Sequence, residues 1–465
     1  MLLRALLLRR RRWAVVLLLF LLLHQVAIPS SVKGESEESL GRKFSLVAQA
    51  QLPMVQDYTV RRYVQQLGQR IVAHLKQPDF PYQFTVVHES QLNAFSVPGG
   101  YIFVHSGLIQ RTNSDYELAS VLGHEIAHIQ GHHMDRQQQD TKLLSYAGMA
   151  AMVLALINPV LAAGASSAAG MVQMKYMRQL EEEADYRGLQ YMQQAGFDPN
   201  AMPRFFETMQ AEERLNSVDV PPYFRSHPMS KERMSYIERV LKTMHWNQIA
   251  PTDTFTLARV KAILRALQEP RNRVIADYQK LVTEHPEDPK ALALLGTVLL
   301  RFNEWERARQ LFEQASSKGI ALDRELGIAY LRLGQRDRAR QALLRHSEID
   351  PEDADAHNQL CTLFFQEEDV TQAEQECRTA IKLDPQHDEA YVTLAHIIDR
   401  QGKGGEARLQ LAAAMEIQGR LEAALNQYQQ AAQALGPDHP RAAEIEGKTQ
   451  ELEEIVQQIP KRRFR

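Results

Sequence analysis

The chain has 465 residues, of which 44% are hydrophobic and 24% charged, and its formal net charge is −3. Because a domain usually has about 100–200 residues, this length predicts two to four domains. The composition excludes a wholly disordered or fibrous protein, and the near-neutral charge argues against a generic nucleic-acid binder. The two cysteines are too few for a disulfide scaffold or a cysteine-based zinc module.

The N-terminal segment is predicted to be an export signal. Residues 1–12 carry five arginines and no acid, and an uncharged apolar run of 11 residues follows from Trp13 to Leu23. This layout is typical of a secretory signal peptide, and the run is shorter than the roughly 20 residues that span a membrane. A retained membrane anchor is the alternative. We predict a signal peptide over residues 1–30, with no defined cleavage site, and a periplasmic location in a bacterium.

A β-strand segment is predicted after residue 93. It contains the β-favouring residues Phe95, Val97, Tyr101 and Phe103, and Pro98-Gly99-Gly100 between them fits a turn or a bulge. The chain therefore contains a small β-sheet within a sequence that otherwise reads as helical.

A helix with zinc-ligand spacing follows Asn113. Its apolar residues recur at helical intervals, and His124 and His128, four positions apart, share one face. Two imidazoles so placed can bind one Zn²⁺, and Glu125 beside them can take a proton from a water that the metal polarises. H-E-x-x-H is the pattern of a metalloprotease helix, although an ordinary amphipathic helix can carry it by chance. A third ligand would decide between these interpretations.

The next segment, residues 143–174, contains no charged residue and lies between Lys142 and Lys175. Its length would permit a membrane span, but Asn158-Pro159 and many small residues divide it into two weakly apolar halves. We expect a helical hairpin that packs on its own domain or rests on a membrane surface. Peripheral membrane contact through residues 143–174 is therefore one alternative.

Glu181 is the candidate for the third ligand, and Asp185 is a candidate partner for one of the ligand histidines. They are four positions apart, so both carboxylates can face the zinc helix. His/His/Glu is a known ligand set of catalytic zinc, which keeps its fourth position open. Asp185 could accept a hydrogen bond from the N–H of a ligand histidine, on the side of the ring that faces away from the metal. A solvated acidic face is the alternative, but the small Ala184 and Gly188 favour close packing.

With these residues the sequence resembles the HtpX and CAAX-prenyl-protease class of gluzincin metallopeptidases. Four stretches match in the order of that family, over about residues 45–245. They are the strand segment Asn93–Gly107, the zinc helix at His124–His128, the segment Glu181–Asp185, and an H-P-x-x-x-x-R element from His227 to Arg233.

The resemblance implies a set of functional residues. Three side chains would hold one Zn²⁺ per chain: His124, His128 and Glu181. Glu125 would be the general base, and Asp185 would support the site or donate a proton. We prefer orientation of a ligand histidine for Asp185, because a residue bound to that imidazole is poorly placed to protonate a leaving amine. His227 would stabilise an oxyanion or occupy the open metal position in a latent enzyme, unless it is a structural loop residue.

In this family the Asn93–Gly107 strand lies beside the active-site cleft. An edge strand there can hold an extended peptide by main-chain hydrogen bonds, which predicts weak sequence preference. We expect Asn93, Phe95, Val97 and Arg233 to contribute to substrate binding, although Asn93 can also be explained as a turn residue.

The second half of the chain is predicted to consist of tetratricopeptide (TPR) repeats. Pro351 and Pro385 are 34 positions apart, which is the TPR period. Residues at matching repeat positions also recur with a constant separation of 16, as in the pairs Gly296 and Phe312, Gly327 and Leu343, Cys361 and Cys377. We expect helix pairs over residues 252–436 that form a protein-binding groove.

These patterns predict a mostly α-helical protein in which a zincin metallopeptidase domain precedes an α-solenoid of TPR helix pairs. The predicted domains cover residues 40–245 and 252–436, and a C-terminal helix with a basic tail covers 437–465. Cys361 and Cys377 fall on the two helices of one repeat, so they form either a disulfide or two buried apolar contacts.

The whole arrangement resembles envelope proteases of Gram-negative bacteria. It implies a periplasmic zinc metalloendopeptidase with chaperone-like activity that hydrolyses misassembled proteins and promotes assembly of outer-membrane β-barrel proteins. Its partners would be unfolded or misassembled outer-membrane proteins, and the β-barrel assembly machinery bound through the TPR groove. A TPR scaffold with a latent protease site is the alternative. No nucleic-acid partner is expected, because removing the five arginines of the signal leaves a formal charge of −8.

Overall fold

The computed structural model describes residues 36–138, 168–215, 222–228, 230–244 and 254–459. The predicted signal peptide, residues 143–167 of the apolar insert and the basic tail lie outside the described residues. Within them the protein is mostly helical with one three-stranded sheet, which confirms the predicted fold class. No described helix is both long enough and apolar enough to cross a membrane.

The first half of the chain packs helices around the sheet. Its elements are α1 (Glu37–Gln51), α2 (Tyr58–Val72), β1 (Gln83–Val87), β2 (Ala94–Val97), β3 (Tyr101–His105), α3 (Ser106–Arg111), α4 (Asp115–Gln130), α5 (His133–Gln138), α6 (Ala168–Gln194), α7 (Ala201–Leu215), α8 (Pro222–Ser226) and α9 (Lys231–Thr243). A short 3₁₀ turn at Pro98–Gly100 joins β2 to β3, and Gly99 there has a positive φ of 76° that favours glycine.

The strands lie in the order β1–β3–β2, with β1 parallel and β2 antiparallel to β3. Within the described residues β2 is therefore an edge strand. Side chains alternate across the sheet, so Ile102 and Val104 enter the core that also contains α4, whereas Phe95 and Val97 enter a second core on the opposite face. Ser96 lies between them and faces the α4 side.

The second half is a series of helix pairs. Its elements are α10 (Thr254–Gln268), α11 (Arg271–Glu284), α12 (Pro289–Arg301), α13 (Trp305–Ser317), α14 (Asp323–Arg332), α15 (Arg336–Ile349), α16 (Ala354–Gln366), α17 (Val370–Leu383), α18 (Asp388–Arg400), α19 (Gly404–Ile417), α20 (Leu421–Leu435) and α21 (Ala442–Gln458). Small residues let paired helices approach. A Cβ at Gly296 would lie 2.6 Å from the ring of Phe312, and a disulfide joins Cys361 of α16 to Cys377 of α17.

The repeats are attached to the first half at both ends. At the start, α10 places Leu257, Val260 and Ile263 in the core around α4, although it belongs to the predicted repeat region. At the end, helices α19 to α21 share the second core with α1, Phe95 and Val97. The two halves therefore share apolar cores.

Between these attachments, the first turn of α2 lies against the repeats. Arg62 Nη1 is 2.7 Å from Asp353 Oδ2, and Arg61 Nη2 is 3.2 Å from Asp384 Oδ2. The Tyr58 hydroxyl accepts a hydrogen bond of 2.9 Å from the backbone N–H of Ala354. A helix of the same chain thus covers part of the surface of the repeats.

Candidate metal centre

Helix α4 carries the first residues of the site. It begins after Ser114, whose hydroxyl accepts the backbone N–H of Glu117, and its apolar face is buried in the first core. His124, Glu125 and His128 lie in its last two turns, and neither the His124 nor the Glu125 side chain is exposed to solvent. The helix ends at Gly131.

Helix α6 supplies the carboxylates because it packs very closely on α4. A Cβ added at Gly188 would lie 3.1 Å from the backbone nitrogen of His124, so a larger residue there would force the helices apart. Glu181 and Asp185 are both buried on the face towards α4. The structure thus brings together the two segments in which the sequence predicted the ligands.

Four potential ligand atoms converge at one buried point. His124 Nε2 lies 3.0 Å from His128 Nε2. Glu181 Oε2 lies 3.4 Å from His124 Nε2, and Glu181 Oε1 lies 3.4 Å from His128 Nε2. His227 Nδ1 lies 3.0 Å from Glu181 Oε1 and 3.3 Å from His124 Nε2. His227 stands just after α8, so a separate part of the chain contributes the fourth atom.

These distances fit a four-coordinate zinc ion. Ligand atoms arranged tetrahedrally at about 2.0–2.1 Å from a metal are separated from one another by about 3.4 Å. Here the nearest contacts among the three imidazole nitrogens and the two Glu181 carboxylate oxygens are 3.0–3.4 Å. Histidine nitrogens and a carboxylate oxygen are also the ligand types that zinc takes in proteins. The residues of this cluster therefore suit zinc in both chemistry and spacing.

Asp185 and Arg233 support the cluster from behind. Asp185 Oδ1 is 3.0 Å from His124 Nδ1, the ring nitrogen that points away from the cluster. Arg233 donates two hydrogen bonds of 2.8 Å to Asp185, and its Nη1 lies 2.9 Å from Glu181 Oε2. Arg233 is only 1% exposed. It contacts the carboxylates of α6, whereas the sequence led us to expect contact with substrate.

The electrostatics favour metal-binding protonation states of Glu181, Asp185 and His128. Burial alone would raise the pKa of Glu181, but His227 and the other imidazoles of the cluster hold that pKa well below its usual range. Burial would also raise the pKa of Asp185, but Arg233 and a neighbouring imidazole lower it. Burial lowers the pKa of His128. Metal ligands must be deprotonated, and these shifts favour ionised carboxylates and a neutral His128. His124 differs, because burial would lower its pKa but hydrogen bonds and charges of Asp185 and Glu181 outweigh burial and raise that pKa from 6.5 to about 10.

Glu125 lies beside the four-atom cluster. Its Oε1 is 3.4 Å from Nε2 of His227, and its Oε2 accepts a hydrogen bond of 2.9 Å from the hydroxyl of Ser96. Ser96 was not among the residues singled out from the sequence. The alternation of β2 could have identified it, because the residue between Phe95 and Val97 must face the opposite side of the sheet.

The other three residues expected to bind substrate, besides Arg233, lie on or next to β2. Asn93 is buried just before this strand, and its carbonyl accepts the N–H of His105 over 2.9 Å. The Phe95 and Val97 side chains point away from the cluster into the second core. Only the main chain of these two residues is therefore placed for contact with a peptide beside Glu125.

Both halves of the chain match known protein families. Residues 59–241 match peptidase family M48, and residues 275–319 and 324–388 match tetratricopeptide repeats. The chain therefore combines a metallopeptidase domain of family M48 with TPR repeats.

Several curated proteins are similar to this chain. A Vibrio cholerae protein provisionally named beta-barrel assembly-enhancing protease is 34% identical over 221 residues, 46% of either chain. The beta-barrel assembly-enhancing protease of Escherichia coli K12 is 27% identical over 287 residues, 60% of this chain and 58% of that protein. Mitochondrial metalloendopeptidase OMA1 of Schizosaccharomyces pombe is 33% identical over 188 residues, 38% of this chain and 52% of that protein. The chain thus spans about half the length of the curated relatives it matches.

Among solved structures, the TPR protein YrrB is 22% identical to this chain. The matched region covers 37% of this chain and 89% of YrrB. The TM-score of 0.29 is too low to support a structural conclusion.

Proposed function

We propose that this protein is a periplasmic zinc-dependent endopeptidase with chaperone-like activity. The observation that supports this most directly is the buried cluster of His124, His128, Glu181 and His227, with the Glu125 carboxylate beside it. In this proposal the first three hold one Zn²⁺ per chain, and Glu125 is the general base. Asp185 orients His124 through its Nδ1.

Zinc, when bound, supplies a Lewis acid that polarises water and the carbonyl of a peptide bond. Glu125 accepts the proton at Oε1, because Ser96 already occupies Oε2. An extended substrate adds to β2 through main-chain hydrogen bonds, so the buried side chains of Phe95 and Val97 do not select its sequence. Weak sequence preference is expected for such an enzyme.

The activity is tested with Glu125→Gln and a matched control. This change keeps the size of the side chain and removes the proton acceptor, so zinc should stay bound while cleavage of an unfolded outer-membrane protein falls at least about 100-fold. Glu182→Gln is the control. Glu182 is next to Glu181 in the sequence but lies outside the cluster, so this variant should retain activity. Unchanged cleavage in Glu125→Gln would refute the proposed mechanism.

In this proposal His227 can occupy the open metal position and hold the enzyme in a latent, inactive state. Catalytic zinc keeps one position open, and here His227 Nδ1 is the fourth atom of the cluster while Nε2 lies 3.4 Å from Glu125. We expect His227→Ala to retain zinc on three ligands and to raise the cleavage rate. A fall in rate as large as that of Glu125→Gln would instead assign His227 to transition-state stabilisation.

The periplasmic location and the substrate class depend on further observations. Disulfides persist in oxidising compartments, and Cys361 and Cys377 are paired. Two of the relatives are named for β-barrel assembly, which supports misassembled outer-membrane proteins as substrates. In this proposal residues 1–30 form the signal peptide, and residues 143–174 either pack on the metallopeptidase domain or make peripheral membrane contact. Export is tested by the size and compartment of the mature protein in a Gram-negative host.

The TPR repeats are proposed to bind the β-barrel assembly machinery. The first turn of α2 covers part of their surface, and a neighbouring groove of about 290 Å³ is lined by Arg332, Asn358, Thr362 and Glu389 among others. Such polar groups can contact an extended peptide. We propose 40–245 and 252–436 as the two functional domains and 437–465 as a C-terminal extension.

The position of His227 also favours a second function, a scaffold or chaperone with a latent protease site. Complementation separates the two, because a scaffold needs no general base. If Glu125→Gln restored growth of a deletion strain under envelope stress as fully as the wild type, the scaffold function would be correct. Failure to complement despite normal protein levels would support the protease.

A further inference from the structure

The turn after helix α4 contains a second histidine pair, His132 and His133, which the proposed mechanism does not use. His133 is 3% exposed, and its Nδ1 lies 2.8 Å from Nδ1 of His128. His128 presents its other nitrogen, Nε2, to the metal cluster. His133 therefore contacts the one nitrogen of His128 that is not directed at the metal.

On the far side of its ring, His133 faces α6. Its Nε2 lies 3.5 Å from Oε2 of Glu183, a carboxylate that also pairs with Arg136 and Arg187 at 3.0 and 2.7 Å. A proton on Nε2 is favoured by that negative charge and leaves Nδ1 free to accept a hydrogen bond. His128 then carries its proton on Nδ1 and keeps the Nε2 lone pair for a metal.

The backbone at Gly131 is adapted to this arrangement. A Cβ at Gly131 would lie 2.3 Å from Nε2 of His133 and 2.5 Å from Cδ2. Its φ of −86° is open to any residue, so backbone conformation does not demand glycine here. Glycine is needed because the His133 ring occupies the space next to it, and a larger residue at position 131 would displace that ring.

We propose that His133 is a positioning residue that fixes the tautomer and orientation of His128, with Glu183 behind it. This inference rests on the proposed function, since it assumes that His128 binds zinc. The two histidines of α4 would then be anchored in different ways from α6. Asp185 holds His124 directly, whereas Glu183 acts on His128 through His133. This assigns separate roles to Glu181 and Glu183 within the acidic run.

Zinc affinity is the primary measurement, by competition with a chromophoric chelator on the full chain. His133→Phe keeps a ring but removes the acceptor, and should weaken zinc binding about 10- to 100-fold. His133→Asn places Oδ1 where Nδ1 was, and should restore most of the affinity. A purely structural role would not be rescued by this smaller side chain.

His132→Asn is the matched control. His132 is the neighbouring residue, its ring lies 2.9 Å from Glu37 instead of the cluster, and its positive φ of 46° is tolerated by asparagine. Its zinc affinity should equal that of the wild type. Gly131→Ala should weaken binding when His133 is present and have little effect in the His133→Asn background.

The outcomes separate this inference from the proposed function. If the wild-type chain binds no zinc, the proposed function fails. If it binds zinc and folded His133→Phe, checked by circular dichroism, binds equally well, the positioning role of His133 is wrong. If His133→Phe does not fold, His133→Asn and Gly131→Ala decide, and unchanged affinity in Gly131→Ala would contradict the inference.

Discussion

The hydroxyl of Ser96 donates a hydrogen bond of 2.9 Å to Oε2 of Glu125, which links the edge strand β2 to helix α4, where two of the proposed zinc ligands lie. Only one carboxylate oxygen is held in this way. The other, Oε1, lies on the side of His227 and the cluster. The strand that is proposed to bind substrate thus also orients the proposed general base.

Removing this hydroxyl should slow the reaction without affecting the metal. A hydrogen bond to a charged group contributes about 1.5–3 kcal/mol, so Ser96→Ala should lower kcat about tenfold or more. Ser96→Thr keeps the hydroxyl and should retain most of the activity. Zinc content should match the wild type in both variants. An unchanged kcat in Ser96→Ala would show that Glu125 is held by other contacts.

Arg233 should be essential for stability, because it neutralises two buried carboxylates. Arg233→Met leaves Glu181 and Asp185 without their guanidinium partner, and breaking such a buried pair costs about 3–5 kcal/mol. The free energy of unfolding in urea measures this loss. Arg204, whose side chain is 49% exposed and pairs with Asp198, provides the control. Arg204→Met should cost no more than about 1 kcal/mol. Equal losses in the two variants would contradict the prediction.

The attachment of the repeats should weaken in acid. Burial would raise the pKa of Glu325, but Arg259 and Arg324 outweigh burial and lower that pKa from 4.5 to about 2. Because the folded pKa is the lower one, this stabilisation is complete above pH 4.5 and is lost as pH falls from 4.5 towards 2. The free energy of unfolding should decrease over that range.

Glu325→Gln provides the control for the pH dependence. It removes the titrating group, so this variant should be less stable than the wild type at neutral pH and should lose less stability between pH 4.5 and 2. Its two arginines lose their charged partner at every pH. If both proteins showed the same slope of unfolding free energy against pH, other carboxylates would account for the acid sensitivity.

The disulfide between Cys361 and Cys377 should stabilise the repeat that contains it. It joins residues 16 positions apart, and a crosslink over a loop of about 15 residues contributes about 3 kcal/mol. Reduction should therefore lower the unfolding midpoint of the wild type. The double variant Cys361→Ala/Cys377→Ala should start from a lower midpoint and be insensitive to reductant. A wild-type midpoint that does not respond to complete reduction would contradict the prediction.

Short-range spacing accounts for what could be predicted. His124 and His128 share a helix face, as do Glu181 and Asp185, because residues four apart on an α-helix point the same way in any tertiary context. The period of 34 residues between Pro351 and Pro385 similarly indicates TPR helix pairs before any contact is known. The sequence alone therefore determined the helical fold class, the repeats and the segments that carry the ligands.

Only the tertiary structure decided how these segments meet. His227 is 103 positions from His124, and nothing in the spacing places its Nδ1 as the fourth atom of the cluster. The contact of Ser96 with Glu125 and that of Arg62 with Asp353 join residues on separate elements. The reason is physical: close packing of whole cores, such as α4 against Gly188 of α6, sets the distances between helices and strands, whereas local sequence sets only the direction of each side chain.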